Sequence, residues 1–242
     1  MSSPFPLFSH RFGELLGGDA LAFYYWTFAG TCLLFSAPLV EYLGSVKALV
    51  LSQITMTIYL LSYCLGSIGT VAEVSNLQWT IVSLGSVVGG FSSGLGWTAQ
   101  GVYFSLAAAQ HAEETGVTSR EANDTFAGYW ACIYFAGQCA LYIIASLLFE
   151  FTGFTYVWCF LALTIGSTIA TICMYIFADP PANEGGVEYD SAAEQAMATL
   201  KLSFTNPVAV CLQPINVAYG FALVFVQVNK QGTEIGHGRF LS

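Results

Sequence analysis

WTIVSLGSVVGGFSSGLGWTAQGVYFSLAAA, residues 79–109, contains no Asp, Glu, Lys, Arg or His. A helix needs about 20 predominantly apolar residues to cross the hydrocarbon core of a bilayer. This stretch exceeds that length, so it is expected to tilt or to project beyond the headgroups. The flanking sequence repeats the theme, with apolar runs at 21–40, 48–68, 125–149, 151–178 and 202–229. These runs are too long for barrel strands and show no period-2 alternation. The expectation is therefore an all-α membrane protein of about six transmembrane helices, multi-pass, with the lipid bilayer as its solvent.

Composition supports the same class. Charged residues make up 9% of the 242 positions, against roughly 25% in an ordinary soluble domain. Hydrophobic residues reach 55% and mean hydropathy is +0.64, too apolar for a surface facing water. The net charge of −9 comes from acidic residues scattered among loops, which reads as solvated loop ends. Six Lys and Arg in six separate places form no patch, so nucleic acid is excluded as a partner. The seven cysteines lie inside apolar runs, as small buried residues do, and not in a disulfide or metal-binding pattern. The first 19 residues lack the apolar core of a signal peptide, so the first apolar segment is expected to act as its own insertion signal.

Lys and Arg orient the chain. Lys47, Arg120 and Lys201 follow the first, third and fifth spans, whereas the connections around Glu73 and Glu150 carry no basic residue. The positive-inside rule places those three loops in the cytoplasm. The tail residues Arg11, Lys230 and Arg239 then fall on the opposite face. The sequon at Asn123-Asp124-Thr125 lies at a cytoplasmic helix start, where glycosylation is not expected.

No ionisable residue sits at mid-membrane depth, which argues against a proton relay. With no nucleophile–base pair and no metal-ligand cluster, neither enzymatic activity nor a cofactor or metal is expected; His10, His111 and His237 are in tails or loops. Uncharged polar residues carry more information. Ser93, Trp97 and Gln100 share one helical face, as do Trp130, Tyr134, Gln138 and Tyr142, and as do Gln213, Asn216, Gly220 and Gln227. Two readings stay open for these stripes: hydrogen bonding between helices, or a shared cavity lined by Trp97, Gln100, Tyr134, Gln138, Gln213 and Asn216. Gly85-x3-Gly89 and Gly90-x3-Gly94 read as helix-packing faces, and Pro38 and Pro214 as kinks.

Two motifs reach beyond composition. Glu41, Gly44 and Lys47, spaced by three, resemble the acid–glycine–basic loop between the second and third helices of the major facilitator superfamily. The stretch Trp97-Thr98-Ala99-Gln100-Gly101 resembles the WTAQG motif of the Unc-93-like branch of that superfamily. The resemblance implies that the six spans correspond to helices two to seven of a twelve-helix plan, without the first and the last five. The N-terminal tail then begins outside, which accounts for the tail charges.

The domain reading that follows has a tail at 1–19, five helices of a facilitator half-bundle at 20–178 and a cytoplasmic linker at 179–201. The first helix of the second half (202–229) and a tail (230–242) complete it. The function the resemblance implies is transmembrane transport of a small solute, or a remnant of it. The alternative is an accessory protein that regulates a channel or receptor, with another membrane protein or a second copy of itself as partner.

Overall fold

The computed structural model describes residues 17–68, 76–152, 156–178, 201 and 205. Among them the chain is almost entirely helical, with no strand. Contacts divide the chain into Met1–Ala192 and Ala193–Ser242, a boundary within the segment read as a linker. The second unit is described only at Lys201 and Thr205, both helical, where the threonine hydroxyl donates to the Lys201 carbonyl at 2.7 Å. The expected sixth span, with Gln213, Pro214 and Asn216, lies outside the described residues, as does most of the linker.

In the first unit, α1 (Gly17–Gly30) runs through a π-helical turn (Thr31–Phe35) into α2 (Ser36–Leu43). Then come α3 (Ser45–Gly66), α4 (Asn76–Thr115), α5 (Ser119–Thr152) and α6 (Tyr156–Phe177). Among the described residues, three helical runs are long and apolar enough to cross a membrane: Asp19–Leu43, Ser45–Gly66 and Val157–Phe177. That is fewer than the sequence leads one to expect. In α4, which is longer at 40 residues, the physical reason is that Gly, Ser, Gln and polar ends dilute the apolar content.

The breaks follow local chemistry. The expected interruption between Glu41 and Lys47 shrinks to Gly44 alone, at φ 81°, a conformation that favours glycine. Its N–H closes α2 on the Val40 carbonyl at 2.8 Å, and its carbonyl accepts from Ala48 N–H at 3.1 Å. Gly116, at φ 72°, ends α4 in the same way. Thr118 then caps α5, its Oγ1 accepting from the Glu121 N–H at 3.2 Å, with Glu121 at the third helical position as in a capping box. The helix break expected at Glu150 falls later, after Thr152.

Pro38 lacks the N–H that would reach the Leu34 carbonyl. The adjustment appears one turn earlier, as the π turn: the Ser36 N–H donates to Thr31 O, five residues back. The Ser36 hydroxyl takes up the Cys32 carbonyl at 3.1 Å.

Burial is inverted relative to a water-soluble domain. The buried set is dominated by Ala and Ser, including Ala48, Ala99, Ser52, Ser86 and Ser92, whereas Trp26 is 80% and Ile133 75% exposed. An apolar surface over a small, hydroxyl-rich interior is what lipid solvation selects. The cysteines depart from the sequence reading, since Cys64 is buried but Cys132, Cys139 and Cys173 are exposed. Their bulk is not needed between helices whose contacts are made by smaller groups.

The axis of the unit is α4. A methyl on Gly85 would strike the Ser62 side chain and one on Gly89 the Tyr59 ring at 2.5–2.9 Å, both on α3. A methyl on Gly90 would lie 2.8 Å from the Phe28 backbone nitrogen, and one on Gly94 2.8 Å from Thr31, on the first helical run. The two small-residue pairs thus serve different neighbours. Ser52 Oγ donates to the Ser92 carbonyl at 3.0 Å and Ser92 Oγ to the Ser52 carbonyl at 2.7 Å, a reciprocal clasp of α3 on α4. On the far side of α3, Thr57 and Ser167 hydroxyls meet at 2.8 Å and hold α6.

Gly90→Ala should therefore destabilise the protein by about 1–3 kcal/mol through overpacking. Gly137→Ala, where a methyl would meet nothing within 4 Å, should leave stability unchanged or slightly raised. Thermal unfolding of the two purified variants checks the contrast.

Candidate solute-binding face

Helix α4 offers its two ends to different partners. Toward its N-terminus, Gly90 and Gly94 receive α1 and the π turn. Toward its C-terminus, Ala108 and Ala112 pack with Ala122 and Phe126 of α5. Phe104 and His111 flank the Phe126 ring at centroid separations of 6.0 and 5.2 Å. The residues between these two grips, Ser93 to Gln100, lie where α1 gives way to α5.

Aromatic side chains converge there. Trp130 and Tyr134, four residues apart on α5, stack at 5.0 Å with their planes within 12°. The Trp97 ring stands across them, 5.9 Å from Trp130 at 73° and 6.4 Å from Tyr134 at 67°. Such edge-to-face pairs contribute about 0.5–1.5 kcal/mol beyond their buried area. From α1, the Tyr24 hydroxyl hydrogen-bonds Ser93 Oγ at 2.6 Å, and Tyr25 and Tyr134 lie within electrostatic reach of it. The cluster is not sealed. Trp97 keeps 50% of its surface free, and Tyr25 and Tyr134 keep 40% each.

The expected site residues separate accordingly. Trp97 and Tyr134 meet directly. Gln100 and Gln138 are half-buried, and neither amide makes a hydrogen bond among the described residues. Many serines and threonines of the bundle bond to backbone or to one another, whereas the buried Ser83 hydroxyl has no partner among the described residues. The Tyr142 backbone is helical, and Gln213 and Asn216 lie outside the described residues.

Within 97–101 the roles diverge. Thr98 Oγ1 donates to its own helix at Gly94 O, 3.0 Å away. Ala99 is buried with Val40, Ala48 and Leu95, and Gly101 faces open space. Glu41 and Lys47 are exposed on either side of the Gly44 turn. Among the described residues no group of His, Cys, Asp or Glu is placed to hold a metal ion.

Sequence reasoning missed Tyr24 and Tyr25. Their run with Trp26 was visible as aromatic, but nothing in its spacing says that it meets Ser93, 69 residues on. The reciprocal Ser52–Ser92 clasp was equally silent, because each partner is a backbone carbonyl. No family model matches the chain, and neither a curated protein nor a solved structure is found to be similar to it.

Tyr24→Phe and Ser93→Ala remove opposite ends of one bond. A double-mutant cycle read by thermal or denaturant unfolding should give a coupling of about 0.6 kcal/mol, and no more than about 1.7.

Proposed function

We propose that this chain is a multi-pass membrane protein that binds a small solute on the α1–α4–α5 face and takes part in moving it across the bilayer. The observation that carries this reading is the pair of half-buried amides, Gln100 and Gln138, without hydrogen-bond partners among the described residues. They flank an aromatic cluster that is partly exposed. Amides that keep accessible surface beside aromatic rings are available to a ligand or to water. Six spans, the facilitator plan and the Unc-93-like resemblance belong to the same proposal, supported by the 97–101 motif and the turn at Gly44. In a facilitator, two half-bundles rock about a central site, so this unit would work against a second half or a partner.

The accessory reading is favoured by a different observation. Gly128, Cys132, Ala136 and Ala140 recur every four residues on α5 and all are exposed. Helix α4 uses the same kind of spacing to seat its neighbours. In that reading α5 binds another membrane protein, and the aromatic face is packing alone.

Proteoliposomes separate the two. Uptake of some member of a broad solute panel, reduced about tenfold or more by Gln100→Leu or Gln138→Leu, supports solute transport. No flux and no ligand-dependent thermal shift across the panel, together with recovery of a stoichiometric crosslinked membrane partner, would establish the accessory role instead.

A further inference from the structure

We infer that the lipid headgroup layer is the partner of two aromatic collars on this bundle, and that the α4–α5 hairpin beyond one of them, residues 103–128, stands in water. The inference rests on the multi-pass membrane reading alone and is independent of any solute. Its basis is a register that the helix contacts share. Gly66 lies against Val82, Ser62 against Gly85 and Ser52 against Ser92, so α3 runs antiparallel to α4 residue for residue. The Gly44 turn is then level with about residue 102 of α4. On α6, the Val157 carbonyl meets Cys64 Sγ and Ser167 meets Thr57, which brings the end of α6 at Phe177 to the same level. On α5, Trp130 and Tyr134 meet Trp97, and Phe126 meets Phe104, which puts Tyr129 there too. Ala20 of α1 packs with Val82, so α1 and α6 both begin near the opposite level, that of Gly66.

These two levels bound a slab. Helices α3 and α6 cross it with 22 residues each, about 33 Å of helix against a hydrocarbon core of about 30 Å. Tyr42, Tyr129 and Tyr175 ring the Gly44 level, each at least 66% exposed, and Trp79 and Trp158 stand exposed at the other. Trp and Tyr gather at headgroup depth because each is apolar in body and polar at one end. Charge obeys the same levels. Glu41 and Lys47 lie beside the first, and Asp19 and Glu150 beside the second. Between them the described helices of this unit carry no other Asp, Glu, Lys, Arg or His.

Helix α4 does not stop at the Gly44 level. It continues to Thr115, about 20 Å further, and α5 returns from Ser119. Burying all 40 residues of α4 in the hydrocarbon core would take a tilt of about 60°, beyond the usual range of about 0–40°. Its register instead holds it alongside α3. The packing chemistry changes at this level as well. Inside the slab α4 meets its neighbours with Gly and Ser. Beyond it Ala108, Ala112, Ala122 and Phe126 form a small apolar core, an arrangement that water drives. His111, Glu113, Glu114, Arg120, Glu121 and Asp124 all belong to the hairpin. On its surface Gln110 donates to Glu114, and Arg120 reaches Asp124.

The test uses the full chain with its native cysteines changed to Ala, in lipid nanodiscs, and a charged maleimide that stays in water. Glu113→Cys and Asn123→Cys should label about tenfold or more faster than Ile133→Cys and Ile169→Cys, because the reactive thiolate forms where water reaches it. All four positions are exposed on the protein's own surface, so lipid alone sets the difference. Labelling at Glu113→Cys or Asn123→Cys as slow as at Ile169→Cys would overturn the inference, and so would fast labelling at Ile133→Cys and Ile169→Cys.

If the cysteine-free chain does not fold, Trp26→Phe in the otherwise unaltered chain decides. Trp26 is 80% exposed and level with Gly90, midway through the slab. Its removal leaves tryptophans 79, 97, 130 and 158, all nearer the collars. In vesicles of brominated phosphatidylcholine, the variant should be quenched more by chains brominated near the headgroup than by chains brominated near the methyl end. That preference should exceed the unaltered protein's. Equal quenching by the two lipids, or a preference no greater than the unaltered protein's, would overturn the collars.

Discussion

The whole first unit hangs on how closely other helices approach α4. In lipid no hydrophobic force drives helix against helix, since the tails are as apolar as the side chains. Association must come from surface contact and from hydrogen bonds that short separations allow. Gly90 permits the backbone of Tyr24 and Phe28 to come within van der Waals range, and Gly85 and Gly89 make room for the side chains of Ser62 and Tyr59. At that separation serine hydroxyls reach carbonyls on the next helix, and the Ser52–Ser92 clasp becomes possible. The hydrogen bonds are thus a consequence of the glycines and not an independent source of adhesion.

The same constraint explains why the helix at the centre is the least obviously membranous. A helix with neighbours on several sides needs small residues there, and small residues lower its apolar content. Helix α6 packs mainly on α3 and can be apolar nearly all round, with Thr164, Ser167 and Thr171 recurring on one face. Ser167 of that set touches Thr57 on α3. Apolarity along this chain therefore tracks exposure to lipid more closely than it tracks membrane depth.

This is also why only part of the arrangement was legible in the sequence. Helical class, the turn at Gly44 and the packing role of Gly85, Gly89, Gly90 and Gly94 follow from local rules of spacing and backbone conformation. Which neighbour each glycine pair receives does not, because Gly89 and Gly90 are adjacent in sequence yet serve different helices. Trp97 and Tyr134 were legible as members of two polar–aromatic stripes. That they meet, and that Tyr24 closes on Ser93 beside them, depends on how α1 and α5 divide α4 between them. The Pro38 kink was anticipated at its own position, whereas the backbone relieved it upstream, where Ser36 could satisfy the freed Cys32 carbonyl.

That relief has a structural consequence for the site. Successive residues of a helix are 100° apart around its axis, so Gly94 and Leu95 present different faces of α4. The first helical run must grip Gly90 and Gly94 through α1, yet α2 packs with Leu95 and Ala99 through Val40. A straight helix following the first face would continue past Trp97 and cover it. The extra residue of the π turn, together with Pro38, turns the run from one face of α4 to the next within a few residues. The face it leaves is the one α5 occupies with Trp130 and Phe126. The π turn and Pro38 thus coincide with the change of contact along α4 from Gly94 to Leu95 and Ala99.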